Sequence, residues 1–320
     1  MSLRTGKRRK LRAITKSKSY HWNQSPLYRL RSKRRLYEIL GADKELVSRL
    51  SNDASYRMVQ VGKNGKDRVA QVPEYELDRL HTRVAGLIRR VATPDYLHSG
   101  IKGRSHVTNA QAHLGSWELY TADLSGYFPS VSSKAVSHFF RSTLECSSDV
   151  AAILAQLLTY EGHVPTGSRV SMSLAFWCTQ PLFDRLQAYA NSHGLVMTVY
   201  VDDVTFSGPR LPAGIQRRIP HEIAKSGFRC NSAKCRVYRR GESREVTGVV
   251  LKENQVYLPR RQHLNIYEGF MKLDKSLSRE EYLDQMRKLS GAMASAGQVE
   301  PIFRRRASML NRLKNRGLFL

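Results

Sequence analysis

Residues 198–206 read Thr-Val-Tyr-Val-Asp-Asp-Val-Thr-Phe, an apolar, β-branched run interrupted at its middle by two adjacent carboxylates. β-Branched and aromatic residues on both sides predict two short strands, a hairpin over residues 196–207 with Asp202 and Asp203 at its tip. Asp is at home in tight turns, so one reading is a plain turn. Hairpin turns favour Asn-Gly or Asp-Gly, however, and two like charges side by side repel. A bound cation turns that repulsion into attraction, which is what an oxygen-lined magnesium site needs. A second apolar strand, Leu119-Tyr120-Thr121-Ala122-Asp123-Leu124, carries Leu119, Thr121 and Asp123 on one face, its acid at the end, before a Ser-Gly-Tyr-Phe-Pro turn. Two strands that bring carboxylates to one sheet edge predict two Mg²⁺ ions holding an in-line phosphoryl transfer. One ion lowers the pKa of an attacking hydroxyl and the other stabilises leaving pyrophosphate.

Charge points to the substrate. Lys and Arg number 53 against 27 acids, a formal net charge of +26. The expected partner is a polyanion, and nucleic acid is preferred to a membrane because no amphipathic anchor is evident. Hydrophobic residues make up 41% and mean hydropathy is −0.45, which excludes a disordered chain and an integral membrane protein. The first 37 residues hold 13 Lys or Arg and no acid, a self-repelling arm that waits for phosphate. No apolar core follows it, so no secretory signal is expected. The cysteines, Cys146, Cys178, Cys230 and Cys235, form no C-x-x-C pair. A zinc module and a disulfide framework are therefore not expected, and free thiols in a reducing cytoplasm are.

Along the chain, helical spacing over residues 36–50 is interrupted by Gly41-Ala42-Asp43 as turn and N-cap. Residues 56–61 and 68–72 predict a basic hairpin around the glycine-containing loop 62–67, and 74–91 a long amphipathic helix. Helices are expected over 133–158, 171–192 and 215–226, strands over 118–124, 235–238 and 246–251, and a helical region over 264–320. Interleaved strands and helices followed by a helical appendage give an α+β fold with a separate helical domain. The expected divisions are a basic helical region at 1–55, a mixed region at 56–250 and helices at 251–320.

At this point the residues reach a family. Asp123 followed by Phe128, then Tyr-Val-Asp-Asp in a hairpin, resembles the palm of reverse transcriptases. Asn231-Ser232-Ala233-Lys234 resembles the lysine-bearing segment beyond that hairpin. Asn109-Ala110-Gln111-Ala112-His113 resembles the N-A-x-x-H element, and Val246-Thr247-Gly248 the V-T-G triplet, of bacterial retron reverse transcriptases, within the group II intron-like superfamily. The resemblance runs in order over residues 66–251.

It implies a right-hand polymerase: fingers and palm with an antiparallel sheet flanked by helices, and a helical C-terminal thumb. Asp123, Asp202 and Asp203 would bind two Mg²⁺ ions, with Mn²⁺ able to substitute and the Leu124 carbonyl an extra ligand. Lys66 and Arg68 would hold the incoming triphosphate, Phe128 would lie beneath its sugar and exclude a 2′-hydroxyl, and Gly167 and Lys234 would complete the nucleotide site. Asn109, His113, Val246, Thr247 and Gly248 would engage the lineage's dedicated RNA. Asn109 and His113, four apart on a helix, would share a face; such a pair also serves as a structural hydrogen bond. The sequence departs from the family where Gln-Gly is usual, since Thr166 precedes Gly167, and Arg169 is the charge at hand to compensate. Gly126 stands where the family has an acid, so only its backbone N–H could serve.

The implied function is an RNA-directed DNA polymerase. It recognises a cognate structured noncoding RNA and starts DNA from an RNA 2′-hydroxyl, giving branched RNA-linked single-stranded DNA. Its partners would be that RNA, its DNA product, dNTPs and an effector protein of an anti-phage system, with no membrane. The rival reading is a catalytically idle RNA-binding protein on a polymerase scaffold, against which stand three intact acids whose burial costs stability when unused. A group II intron maturase relative is a third, but no maturation or endonuclease domain is evident.

Overall fold

The computed structural model describes residues 19–53, 55–61, 68–273 and 277–315. The basic arm at 1–18 and Lys66 lie outside the described residues. Among the described residues a 3-10 turn at Trp22–Gln24 precedes α1 (Lys33–Leu40) and α2 (Lys44–Asn52), which are separated as the sequence predicts: Gly41 is left-handed and Asp43 caps α2 by accepting from Leu46 N–H. β1 (Tyr56–Val61) and β2 (Arg68–Pro73) form a separate antiparallel hairpin, followed by α3 (Tyr75–Ile88). Then come α4 (His106–Gln111), β3 (Glu118–Asp123), α5 (Tyr127–Ser130), α6 (Ser133–His138), α7 (Ser148–Leu158) and the long α8 (Ser171–Ser192). β4 (Val196–Tyr200) and β5 (Asp203–Gly208) are the acid-tipped hairpin, followed by α9 (Ile215–Lys225) and β6 (Arg236–Tyr238). The described residues end with β7 (Arg244–Val246), β8 (Val249–Lys252), β9 (Gln255–Tyr257), α10 (Arg260–Met271), α11 (Arg279–Ala296) and α12 (Pro301–Asn315).

The central sheet is antiparallel in the order β4-β5-β3-β6. Side chains alternate across it. Tyr120, Ala122, Met197, Val199, Val204 and Phe206 enter the main core beneath α8 and α9. The opposite face is also buried, but it is polar: Thr198, Thr205 and Ser207 are each at most 2% exposed. Helix α4 and the β7–β8 hairpin cover this face through a second core of Val107, Ala110, Leu119, Tyr238, Val246, Val249 and Leu251. The C-terminal helices keep a core of their own around Tyr282, Met286, Leu289, Met293 and Phe303.

Three expectations are corrected. The helix over 133–158 is interrupted: α6 passes into a π turn at Phe139–Thr143, and Glu145 adopts φ 52° before α7 starts. The strand over 246–251 is instead a hairpin. Val246 pairs with Val249 around a two-residue turn whose φ values, 45° at Thr247 and 79° at Gly248, are those of a type I′ turn. Helix α4 ends at Gln111, so His113 lies in the turn beyond it and shares no helical face with Asn109.

Candidate active site

The register of the central sheet sets Asp123 directly opposite Asp203. Asp202 is the next residue in the hairpin turn, where its carbonyl accepts from Leu124 N–H at 2.9 Å. Like charges directly opposed across a ladder destabilise it, and here a third acid adjoins them. Burial, then the negative charges of Asp202 and Asp123, pushes the Asp203 carboxyl up to about 7. Asp202 is also raised, chiefly by burial and by Asp123, while Lys234 and Arg68 pull against the rise. The site is a pocket of negative charge in a strongly positive protein.

The turn itself is strained. Val201 occupies its first central position with φ 59°, where a β-branched side chain costs about 1–3 kcal/mol and glycine is usual. The neighbouring segment holds it there. Val199 N–H donates to Tyr96 O, His98 N–H to Val199 O, and Val201 N–H to Ser99 Oγ at 3.0 Å.

One cation already sits among the carboxylates. Lys234 Nζ lies 2.6 Å from Asp123 Oδ2, with the lysine side chain 51% and the aspartate 6% exposed. Its turn is tied to β3 by Asn231 N–H on Asp123 O at 2.8 Å. Among the described residues no three His, Cys, Asp or Glu side chains are gathered into a metal-ligating cluster as they stand. The donor set nevertheless fits hard divalent cations. It consists of carboxylate oxygens, two of them raised by burial and by neighbouring negative charge, and one already drawn to a positive charge.

The hairpin β1–β2 brings Arg68 within electrostatic reach of Asp202. Phe128 is half-buried on α5 with its ring 5.4 Å from that of Tyr127. Gly167 packs on β2 so closely that a Cβ would meet Gln71 O at 2.7 Å, which is why no larger residue fits. Sequence reasoning missed Gln71. Its Oε1 accepts from Thr166 N–H at 3.0 Å and from Thr166 Oγ at 2.9 Å, binding the 166–167 loop to the hairpin. Arg169 does not take that place, because it pairs with Asp78 at 3.1 Å.

No protein-family model matches the sequence. Individual relatives do. Retron Ec86 reverse transcriptase of Escherichia coli is 28% identical over 220 residues, 67% of this chain and 68% of that protein. Retron Mx65 reverse transcriptase of Myxococcus xanthus is 32% identical over 210 residues, 59% of this chain and 49% of that protein. Retron Se72 reverse transcriptase of Salmonella heidelberg is 28% identical over 198 residues, 59% of this chain and 50% of that protein. This chain is a relative of the retron reverse transcriptases. It spans about half the length of two of these three and about two thirds of the other. An apo telomerase from Candida tropicalis aligns with a TM-score of 0.50 at 9% identity, covering 74% of this chain and 52% of that one. The fold is that of right-hand polymerases.

The two elements that carried the retron resemblance meet in space. Thr247 Oγ donates to His106 O at 2.8 Å at the start of α4, and Gln262 Nε2 on α10 donates to Gly248 O at 3.2 Å. The V-T-G turn therefore staples α4 to the C-terminal helices. Val246 is fully buried beneath it. Asn109 is 1% exposed, with Nδ2 at 3.5 Å from Thr247 Oγ. His113, expected at the RNA, is 0% exposed and cannot touch it here. Its Nδ1 lies 2.7 Å from Ser207 Oγ and its Nε2 2.7 Å from Thr198 Oγ, bridging β4 and β5 behind the acid tip. Burial, with the charges of His98 and Arg244, pushes it down to about 3, so it is neutral.

Proposed function

We propose that the protein is a retron-type RNA-directed DNA polymerase that copies a cognate structured noncoding RNA. The observation that carries this reading is the register that sets Asp123 against Asp203, with Asp202 beside them. The relatives and the charge of +26 support it. In this reading residues 1–55 are a basic helical region, 56–250 the fingers and palm, and 251–320 the thumb.

Asp123, Asp202 and Asp203, with the Leu124 carbonyl, would hold two divalent cations, Mg²⁺ with Mn²⁺ as substitute. Bound there, these ions would supply the Lewis acidity that lowers a hydroxyl's pKa and balances charge on pyrophosphate. The chain's own residues do the rest. Arg68, with Lys66 as its expected companion, would supply the positive charge that receives the triphosphate. Lys234 exchanges Asp123 for phosphate as the site loads, so that a charge is always paired. Phe128 lies beneath the sugar and rejects a 2′-hydroxyl by contact. Gln71 and Gly167 keep the fingers hairpin in register with that surface. Ser99 holds the acid-bearing turn through Val201 N–H, and His113 ties its two strands together.

The primer would be a 2′-hydroxyl of the RNA itself, the product branched RNA-linked single-stranded DNA, and the physiological setting an anti-phage retron with an effector protein in the cytoplasm. Asn109, Thr247 and Gly248 would act on the RNA through the surface they shape, with Val246 and His113 supporting them from within. A second reading, an idle RNA-binding scaffold, is favoured by one observation, the ion pair of Lys234 with Asp123. Nucleic acid that copurifies with the expressed protein separates the two. The polymerase reading expects RNA joined to DNA at an internal 2′-oxygen, resistant to alkali at that nucleotide. RNA alone, with no extension of an annealed DNA primer by the purified protein, would support the scaffold.

A further inference from the structure

The turn that presents Lys234 is flanked by two cysteines. Cys230 pairs with Leu124 in an antiparallel bridge, and Cys235 directly precedes β6. Both are partly exposed, and their sulfurs lie 2.9 Å apart, whereas Cys146 is buried with its Sγ donating to Leu27 O at 3.1 Å. The backbone accounts for the approach: Lys234 N–H and Cys235 N–H both donate to Asn231 O, at 2.9 and 3.1 Å, curling residues 231–235 into a single tight turn. Sulfurs so placed need to move less than about 1 Å to reach the bonded distance of about 2.05 Å.

We propose that Cys230 and Cys235 are a reversible oxidation site, closed to a disulfide by peroxides and reopened by dithiols. One sulfur attacks a peroxide oxygen, the O–O bond breaks, and the thiol becomes a sulfenic acid with release of water. The second sulfur then displaces the hydroxyl as a second water, so two thiols lose two protons and two electrons and hydrogen peroxide takes up both. Reduction by a dithiol runs the other way, the reductant leaving as its own disulfide. In a reducing compartment a disulfide of this kind is transient and serves sensing rather than stability.

The bond would bear on the carboxylates. It closes residues 230–235 into a covalent ring whose members already hold Asp123 twice, through Asn231 N–H and Lys234 Nζ. Fixing the ring fixes Lys234 on Asp123. Resting on the proposed polymerase reading, oxidation then slows nucleotide addition by keeping that carboxylate paired.

The test uses the full chain, reduced and then exposed to hydrogen peroxide, with free thiols capped before proteolysis. Mass spectrometry should find one peptide cross-linked between Cys230 and Cys235, two hydrogens lighter than the reduced pair. Extension of a DNA primer on an RNA template should fall about tenfold and return with dithiothreitol. The Cys235→Ser variant should form no cross-link and keep its own rate in peroxide. Absence of the 230–235 cross-link where other thiols have reacted would overturn the site. A cross-link that leaves extension unchanged would overturn its action on Asp123. A reduced protein that extends no primer bears on the polymerase reading alone, because the cross-link is read independently.

Discussion

At the scale of single residues, the site is governed by charges held where they repel. An unfolded Asp titrates near about 3.9, while Asp203 in the fold is pushed up to about 7 by burial and its two neighbours. Between those values the native chain keeps a proton that the unfolded chain gives up, so stability contributed below pH 4 is lost as pH rises through about 7. Asp203→Asn removes this dependence, and its melting temperature in EDTA at pH 8 should exceed the wild type's. Magnesium should raise the wild-type midpoint more than that of the variant. Equal midpoints in EDTA, with equal response to magnesium, would mean the three acids are not coupled. Phe128 makes a second residue-scale prediction. With Phe128 beneath the sugar, as proposed above, Phe128→Val would open space there while leaving the acids alone, so GTP incorporation opposite template C should rise about tenfold or more relative to dGTP. If both rates drop together with the ratio unmoved, the ring is core packing and nothing else.

At the scale of elements, His113 joins β4 to β5 from behind. His113→Ala leaves the Ser207 and Thr198 hydroxyls facing a cavity, and about 3 kcal/mol of stability should go with it. Extension should fall on the cognate RNA and on a generic primer–template alike, because the hairpin serves both. Loss confined to the cognate RNA would point instead to a direct RNA role. Because the folded-state pKa is about 3, well below an ordinary histidine, the strut contributes stability above pH 6.5 that is lost as pH falls toward 3. A difference in denaturant midpoint between wild type and His113→Ala that stays constant from pH 7 to pH 4 would contradict this. The acid-tipped hairpin was legible in the sequence because β-branched residues surround two charges, and α1 and α2 because Gly41 and Asp43 are strong punctuation. The His113 strut was not legible, since its partners lie 85 and 94 residues away. Nor was the Thr247-Gly248 turn, because threonine is a poor marker for positive φ and the apolar residues beside it read as one strand. The π turn before α7 keeps apolar residues at near-helical spacing, which conceals the break. Gln71 escaped notice for a different reason. A lone Gln in a strand carries no signal until the loop it binds is in place.

At the scale of the whole molecule, a charge of +26 and an acid pocket in one chain divide the work between grip and chemistry. Binding to a structured RNA should weaken steeply with salt as Lys and Arg contacts release counterions. Removing residues 1–18 should flatten the slope of log K against log salt if that arm lies on phosphate; an unchanged slope would assign it elsewhere. In the proposed reading the three opposed carboxylates form the chemical centre and contribute little to the grip. The most direct measurement is single-turnover extension of a DNA primer on an RNA template by Asp202→Asn, beside the affinity of the same variant for RNA. The rate should be lower by at least about a thousandfold, roughly 4 kcal/mol of barrier, with RNA affinity unchanged or slightly higher. Near-normal extension by Asp202→Asn would contradict that reading.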